Sequence, residues 1–213
     1  MPHSTDARTV YGMTKYAVLD LETTGLSPQD DRIVEIGILY VNEDGHEERY
    51  AGSLLNPLRA IPDAARAVHG ISEQMVRDQP HFGQVAESLK RGLDGRVIVG
   101  HNVQSFDIAF LHAEFARHGV LWQVGEVIDT LRVARQLLIK EHSKSLANLC
   151  AALEIRNISA HRTEGDVRAT WELLCALRQA ADRVDLDVKK SGVSKYRLPV
   201  GVAQVPQHLL RTS

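Results

Sequence analysis

Apolar positions along this chain change spacing several times, and each change marks an element. Tyr16–Glu22 is almost continuously apolar until Asp20, the pattern of a strand buried on both faces. Ile33–Asn42 is a second apolar strand, and Glu43-Asp44-Gly45 turns the chain into a third, Glu48–Leu55. Together they predict an antiparallel meander, which Asn56-Pro57 ends. The spacing then becomes helical. Pro62–Val68 predicts a short helix stopped at His69-Gly70, and Ser72 stands where it would cap a helix over Glu73–Arg77. Phe82, Val85, Ala86, Leu89 and Leu93 predict a helix from Phe82 to Leu93. Val97–Gly100 is a short strand, apolar on both faces. Asp107–His118 is an amphipathic helix closed by Gly119, and Val127-Ile128 is a further short strand. Thr130–Ile139, Ser145–Leu153 and Asp166–Ala181 read as the remaining helices. Strands come first and then alternate with helices. The expectation is an α/β layered domain, a mixed sheet flanked by helices.

Residues 1–14 are polar and are read as a leader without a signal-peptide core, 15–184 as the folded domain, and 185–213 as a tail. In the tail acidic residues thin out while Lys189, Lys190, Lys195, Arg197 and Arg211 remain, so it is expected to be flexible or docked on the core. No apolar run is long enough to span a membrane, and a cytoplasmic protein is expected. Cys150 and Cys175 lie far apart in apolar helical stretches, which predicts two buried thiols rather than a disulfide.

A net charge of −2 over 213 residues argues against a large basic surface for duplex binding. A small footprint on a nucleic acid end, or a partner that holds the strand, remains open. What gives this question weight is three separated blocks: Asp20-Leu21-Glu22-Thr23-Thr24-Gly25-Leu26, Gly100-His101-Asn102 with Phe106-Asp107, and His161-Arg162-Thr163-Glu164-Gly165-Asp166. Residues two apart on a strand share a face, so Asp20 and Glu22 stand side by side in a segment that otherwise reads as buried. Such a pair repels itself and is poorly solvated, and a divalent cation between the two carboxylates resolves both problems. Taken alone, each residue has a plainer reading. Asp20 and Glu22 can be acids at a strand end, Asp107 an N-cap, Asp166 a first-turn acid, and His161 a loop histidine. Jointly they form the kit of a phosphodiester-cleaving site: hard oxygen ligands for divalent cations and a base that titrates near neutral pH. Gly25 is expected to let a second chain approach closely, and Leu26 to wedge against a base.

The ordered blocks resemble the DEDDh family of 3′→5′ exonucleases, and within it the proofreading (epsilon-type) branch of bacterial replicative polymerases. The resemblance runs from about Tyr16 to Ala180. It includes Ile33-Val34-Glu35-Ile36-Gly37, Val68-His69-Gly70-Ile71-Ser72, Asp129-Thr130 and Ser145-Leu146 with Leu149. One departure is Thr163, where the family commonly has alanine.

The resemblance implies a ribonuclease-H-like fold with a mixed five-stranded sheet, an antiparallel meander plus parallel strands. It implies that Asp20, Glu22, Asp107 and Asp166 hold two divalent cations, Mg²⁺ or Mn²⁺, with His161 as general base. Backbone around Thr23-Thr24, with Leu26, His69 and Phe106, would grip the terminal nucleotide, and Asn102 is a further candidate for the same shell. The expected activity is release of nucleoside 5′-monophosphates from single-stranded or frayed DNA 3′ ends, in proofreading or repair. RNA trimming and a catalytically silent binding subunit are the alternatives. A DNA polymerase or a sliding clamp is the partner expected. Gln204-Val205-Pro206-Gln207-His208-Leu209-Leu210 loosely resembles a clamp-binding peptide without its aromatic end.

Overall fold

In the computed structural model the chain is described at residues 15–42, 44–138, 140–157, 161–183 and 205–210. The expected leader, most of the expected tail with its lysines, and Glu43 of the first turn lie outside them.

Among the described residues the α-helices and strands follow in chain order. They are β1 (Tyr16–Thr23), β2 (Ile33–Val41), β3 (Glu47–Leu54), α1 (Asp63–His69), α2 (Glu73–Val76), α3 (Phe82–Leu93), β4 (Val97–Gly100), α4 (Asp107–Arg117), β5 (Val127–Asp129), α5 (Thr130–Leu137), α6 (Leu146–Ala152) and α7 (Thr163–Arg183). The strands form one five-stranded sheet in the order β3-β2-β1-β4-β5. β1–β2 and β2–β3 pair antiparallel, while β1–β4 and β4–β5 pair parallel. The mixed sheet expected from the sequence is therefore observed.

Alternate residues of the sheet feed two cores. Tyr16, Val18, Leu39, Val41, Val97, Val99 and Ile128 pack against α5, α6 and α7. Ala17, Leu19, Leu21, Ile36, Ile38, Tyr40 and Ile98 pack on the other face against α3 and α4. This explains the near-continuous apolar runs of β1 and β2: a strand covered on both sides has no polar face. It also makes the exceptions conspicuous. Asp20 and Glu22 continue the Tyr16–Val18 face, so both carboxylates point to the α7 side.

Three details depart from the sequence reading. Ser72 is the N-cap residue of α2, but its side chain makes no capping hydrogen bond. α7 begins at Thr163 rather than Asp166. Gly165 does not delay it, because Glu35 on β2 accepts the Thr163 N–H (3.3 Å) and anchors the helix start. The clamp-peptide expectation is not supported for its apolar positions. Val205, Leu209 and Leu210 are buried in the core shared with α7, with Gln207–Leu209 wound as a 3-10 turn. Side chains spent on the chain's own core are not available to a partner's groove. Cys150 and Cys175 are free and buried, as expected. No described helix is long and apolar enough to cross a membrane.

Candidate active site

Four acids meet where the C-terminal half of β1 passes the starts of two helices. Asp20 and Glu22 come from β1 and Asp166 from the first turn of α7. One carboxylate oxygen from each lies within 4.8 Å of the others. Asp107, the first residue of α4, arrives from the opposite layer and is buried. It lies outside that three-acid group, yet its charge is the strongest of the neighbouring charges acting on Asp20.

The β2 neighbour of Asp20 explains how α7 reaches it. Gly37 is the direct ladder partner of Asp20. A Cβ there would stand 2.3 Å from Cβ of Thr163, so only a glycine lets the helix start lie this close. Thr163, the departure from the family pattern, is buried, and its hydroxyl pairs with Tyr50 Oη at 3.0 Å.

Burial and mutual repulsion set the electrostatics. Burial, then Asp107, Asp166 and Glu22, hold the Asp20 carboxyl well above its ordinary range. Burial, then Asp166, push Glu22 up to about 8. Burial also raises Asp107 to about 8, against the pull of backbone N–H groups including that of Leu21. Asp166 is raised by burial, although Asn157 Nδ2 (2.6 Å) and the His161 N–H (2.9 Å) donate to its two oxygens. Such a cluster is strained as anions at neutral pH. Hard carboxylate oxygens converging this closely are what a divalent oxygen-seeking cation requires, so the residues present fit one.

His161 has a positive φ of 64° and an exposed side chain. Its ring makes no hydrogen bond among the described residues, while its N–H is held by Asp166. The imidazole therefore stands at the rim of the cluster, open to solvent.

The residues expected to grip a nucleotide are brought to the same end of β1, with corrections. The Thr24 backbone N–H is not free: it donates to the Arg32 carbonyl (2.8 Å), while the hydroxyl donates to Asp31 Oδ1 (2.9 Å) and accepts from the Arg32 N–H (3.0 Å). Thr23 Oγ1 donates to the Gly25 carbonyl at 2.6 Å. The space beside Gly25 is filled by Asp31 of the same loop, whose Oδ2 would lie 2.3 Å from a Cβ, and not left for a second chain. The loop is further stapled from outside, because Arg32, Arg59 and Arg117 all donate to carbonyls between Pro28 and Asp31. Leu26 projects from this fixed loop, 85% exposed. His69 is buried, its Nδ1 accepts from the Ile71 N–H (2.9 Å), and its ring also interacts with the Thr23 backbone, although Nε2 forms no well-aligned hydrogen bond. Phe106 is partly buried against Phe110, and Asn102 has φ 68° with its N–H on Asp129 Oδ1.

Sequence reasoning missed the supports. Asp129 accepts the N–H groups of Asn102, Gln104 and Leu131, fixing the loop that leads to Asp107. Arg162 makes a two-pronged ion pair with Glu35 (2.8 Å). The available signal was Glu35 itself, a charge inside the apolar strand Ile33–Val41, which demands a partner.

A five-stranded mixed sheet with helices on both faces, and a carboxylate cluster beside its central strand, define a nuclease-type α/β domain. The exonuclease family (RNase T type) matches residues 17–174, and the chain belongs to that family. Proteins named 3′-5′ exonuclease DinG from Staphylococcus aureus (strain MRSA252 among them) are 32% identical over 179 residues, covering 84% of this chain and 20% of theirs. The chain thus spans about a fifth of the length of those relatives. The structure of E. coli exonuclease I in complex with a dT13 oligonucleotide aligns with TM-score 0.72 and 20% identity, over 81% of this chain and 42% of that one. A zinc-bound complex of the same enzyme with single-stranded DNA aligns with TM-score 0.68 and 19% identity, over 86% and 42%. At that identity the likeness establishes the fold. These relatives do not single out the polymerase proofreading branch that the motifs resemble.

Proposed function

We propose that this exonuclease domain removes nucleotides one at a time from the 3′ ends of single-stranded DNA, with divalent cations as cofactors. The observation that carries the reading is the convergence of Asp20, Glu22 and Asp166 within 4.8 Å, with Asp107 beside them. Relatives named 3′-5′ exonuclease and a fold neighbour described with a dT oligonucleotide support the direction and the polymer.

Asp20, Glu22, Asp107 and Asp166 are the residues that would hold the cations. When bound, divalent cations supply Lewis-acid activation and charge neutralisation for phosphodiester hydrolysis. The rest belongs to the protein. Leu26, on its stapled loop, stacks or wedges against the terminal base. His69 carries the ring proton on Nε2, because Nδ1 accepts from Ile71, and shares it between the Thr23 backbone and the terminal sugar. Backbone around Thr23-Thr24 lines the same pocket, with Phe106 and Asn102 opposite. His161, exposed at the rim, takes the proton of the attacking water and releases it to solvent. The leaving group is the shortened 3′ hydroxyl, and the product is a nucleoside 5′-monophosphate.

The fold neighbours are described with single-stranded DNA, and neither they nor the relatives named above are described as polymerase subunits, so the polymerase and clamp partners are not carried into this proposal. The test is to incubate matched DNA and RNA oligonucleotides with the protein and Mg²⁺ and identify the products. Stepwise loss from the DNA 3′ end with mononucleotide 5′-phosphates supports the proposal. Preferred cleavage of RNA, or internal cuts, overturns it.

A further inference from the structure

On the face of the sheet that carries Asp20 and Glu22 stands a further acid that the proposed chemistry does not use. Glu35 is the direct cross-strand partner of Glu22, so the two side chains lie together on the α7 side of the sheet. It is buried, with a side chain 7% exposed. Its position would suit a fifth cation ligand, but its oxygens are already taken. Oε1 accepts from Arg162 Nη2 (2.8 Å) and Nε (3.2 Å), and Oε2 accepts from Arg162 Nε (3.2 Å) and the Thr163 N–H (3.3 Å). A two-pronged guanidinium–carboxylate contact fixes direction as well as distance.

Arg162 follows His161 directly. His161 has a left-handed φ of 64°, a conformation that a non-glycine residue keeps only when its surroundings enforce it. Its ring finds no hydrogen bond among the described residues, so the imidazole is placed by its backbone and by the Asp166 charge beside it. That backbone is held on both sides. The His161 N–H is bound by Asp166 (2.9 Å), and the next residue is bolted through its side chain to Glu35. The path Glu22–Glu35–Arg162–His161 ties the turn that carries the imidazole to the strand pair that carries the carboxylates.

We infer that the Glu35–Arg162 pair is a positioning clamp for His161, holding the proton acceptor in register with the carboxylate site. The inference rests on the exonuclease reading above and deepens it. Arg162 acts through His161 and is not a catalytic residue. Its half-exposed side chain (45%) makes substitution tolerable to the fold. The Glu35 carboxylate would be left buried and unpaired in Arg162→Ala, so Arg162→Lys and Glu35→Gln serve as companion variants that keep a hydrogen-bonding partner.

The test combines single-turnover cleavage of single-stranded DNA with amide hydrogen exchange of the metal-free protein. Arg162→Ala should slow cleavage at least about tenfold while DNA affinity stays within about twofold, and Arg162→Lys should recover only part of the rate. In a His161→Ala background, adding Arg162→Ala should cost no more than about twofold, because the group being positioned is already gone. Exchange at His161–Asp166 should accelerate in Arg162→Ala and Glu35→Gln, with the centre of α7 around Leu173 still protected. Costs that multiply in the double variant, or unchanged exchange at His161–Asp166, would overturn the clamp. An inactive wild type would instead remove the exonuclease reading, so the two failures are distinguishable.

Discussion

Gly37 and Thr163 touch where β2 meets the start of α7, and a single methyl group between them would collide with the helix at 2.3 Å. Gly37 lies opposite Asp20, so this contact sets how close Asp166 comes to the β1 carboxylates. Gly37→Ala must push α7 outward. The expected cost is about 1–3 kcal/mol of stability, the usual range for overpacking, together with loss of most nuclease activity. Paired thermal melts and cleavage assays check this. Thr163→Ala keeps the colliding Cβ and loses the Tyr50 hydrogen bond, so it should not rescue Gly37→Ala, whereas Thr163→Gly, which removes that Cβ, should relieve the collision.

The carboxylate cluster predicts an unusual pH dependence for the cation-free protein. Glu22 and Asp107 are each pushed to about 8 from ordinary values of 4.5 and 3.8. Acids raised by folding bind protons more tightly in the native state, so between those limits stability falls as pH rises. Their stabilising contribution is complete below about pH 4 and gone above about pH 8. In chelator, the melting temperature should therefore decline from about pH 5.5 to pH 8. Mg²⁺ at about a hundredfold excess over its Kd should restore about 2.7 kcal/mol, roughly 5–10 °C for a chain of this size. With that concentration set at pH 8 and held fixed, the gain should be smaller at pH 5.5, where protonated carboxyls raise the Kd. A Mg²⁺ effect that is equal at both pH values would contradict the cluster as the binding site.

Neutralising one member should separate function from stability. Asp20→Asn or Asp166→Asn removes a repelling charge, so in chelator at pH 8 the variant should melt at or above the wild-type temperature while cleaving DNA not at all. Calorimetry beside an activity assay gives the answer. A variant that loses both fold and activity would mean that the carboxylates are structural.

These contrasts show what was legible in the sequence. β1 and β2 were readable because strands covered on both faces leave apolar runs, and Asp20 and Glu22 were readable because they interrupt one. The short strands β4 and β5 were legible for the same reason, and the meander from its Asp44-Gly45 turn. Long-range placement was not. Nothing in the periodicity says that Arg162 reaches Glu35, 127 positions away, or that this anchors α7 three residues before Asp166. The same holds for Asp129, which holds the loop before Asp107 across 27 positions. The Thr24 backbone looked available to a ligand because the closure of its N–H onto the Arg32 carbonyl (2.8 Å) is a three-dimensional fact. Glu35 was read as part of an apolar strand, and although a charge there demands a partner, a strand pattern alone does not name it.

The C-terminal segment supplies a further prediction. Val205, Leu209 and Leu210 pack into the core under α7, with Leu210 fully buried. Leu210→Ala should cost about 2–5 kcal/mol, as core leucine truncations do, without changing the metal requirement of cleavage. Denaturant melts decide it. A cost near zero would mean that this segment is not docked in solution.

His161→Ala should slow cleavage and alter its pH–rate profile. A profile identical to wild type would remove His161 as the proton acceptor.

The most direct measurement is the rate at which a 5′-labelled single-stranded DNA is shortened from its 3′ end by wild type and Asp20→Ala, each with Mg²⁺ and with chelator. The carboxylate site predicts stepwise shortening only for wild type with Mg²⁺. Shortening that persists in Asp20→Ala or in chelator would contradict the assignment of these acids as the catalytic centre.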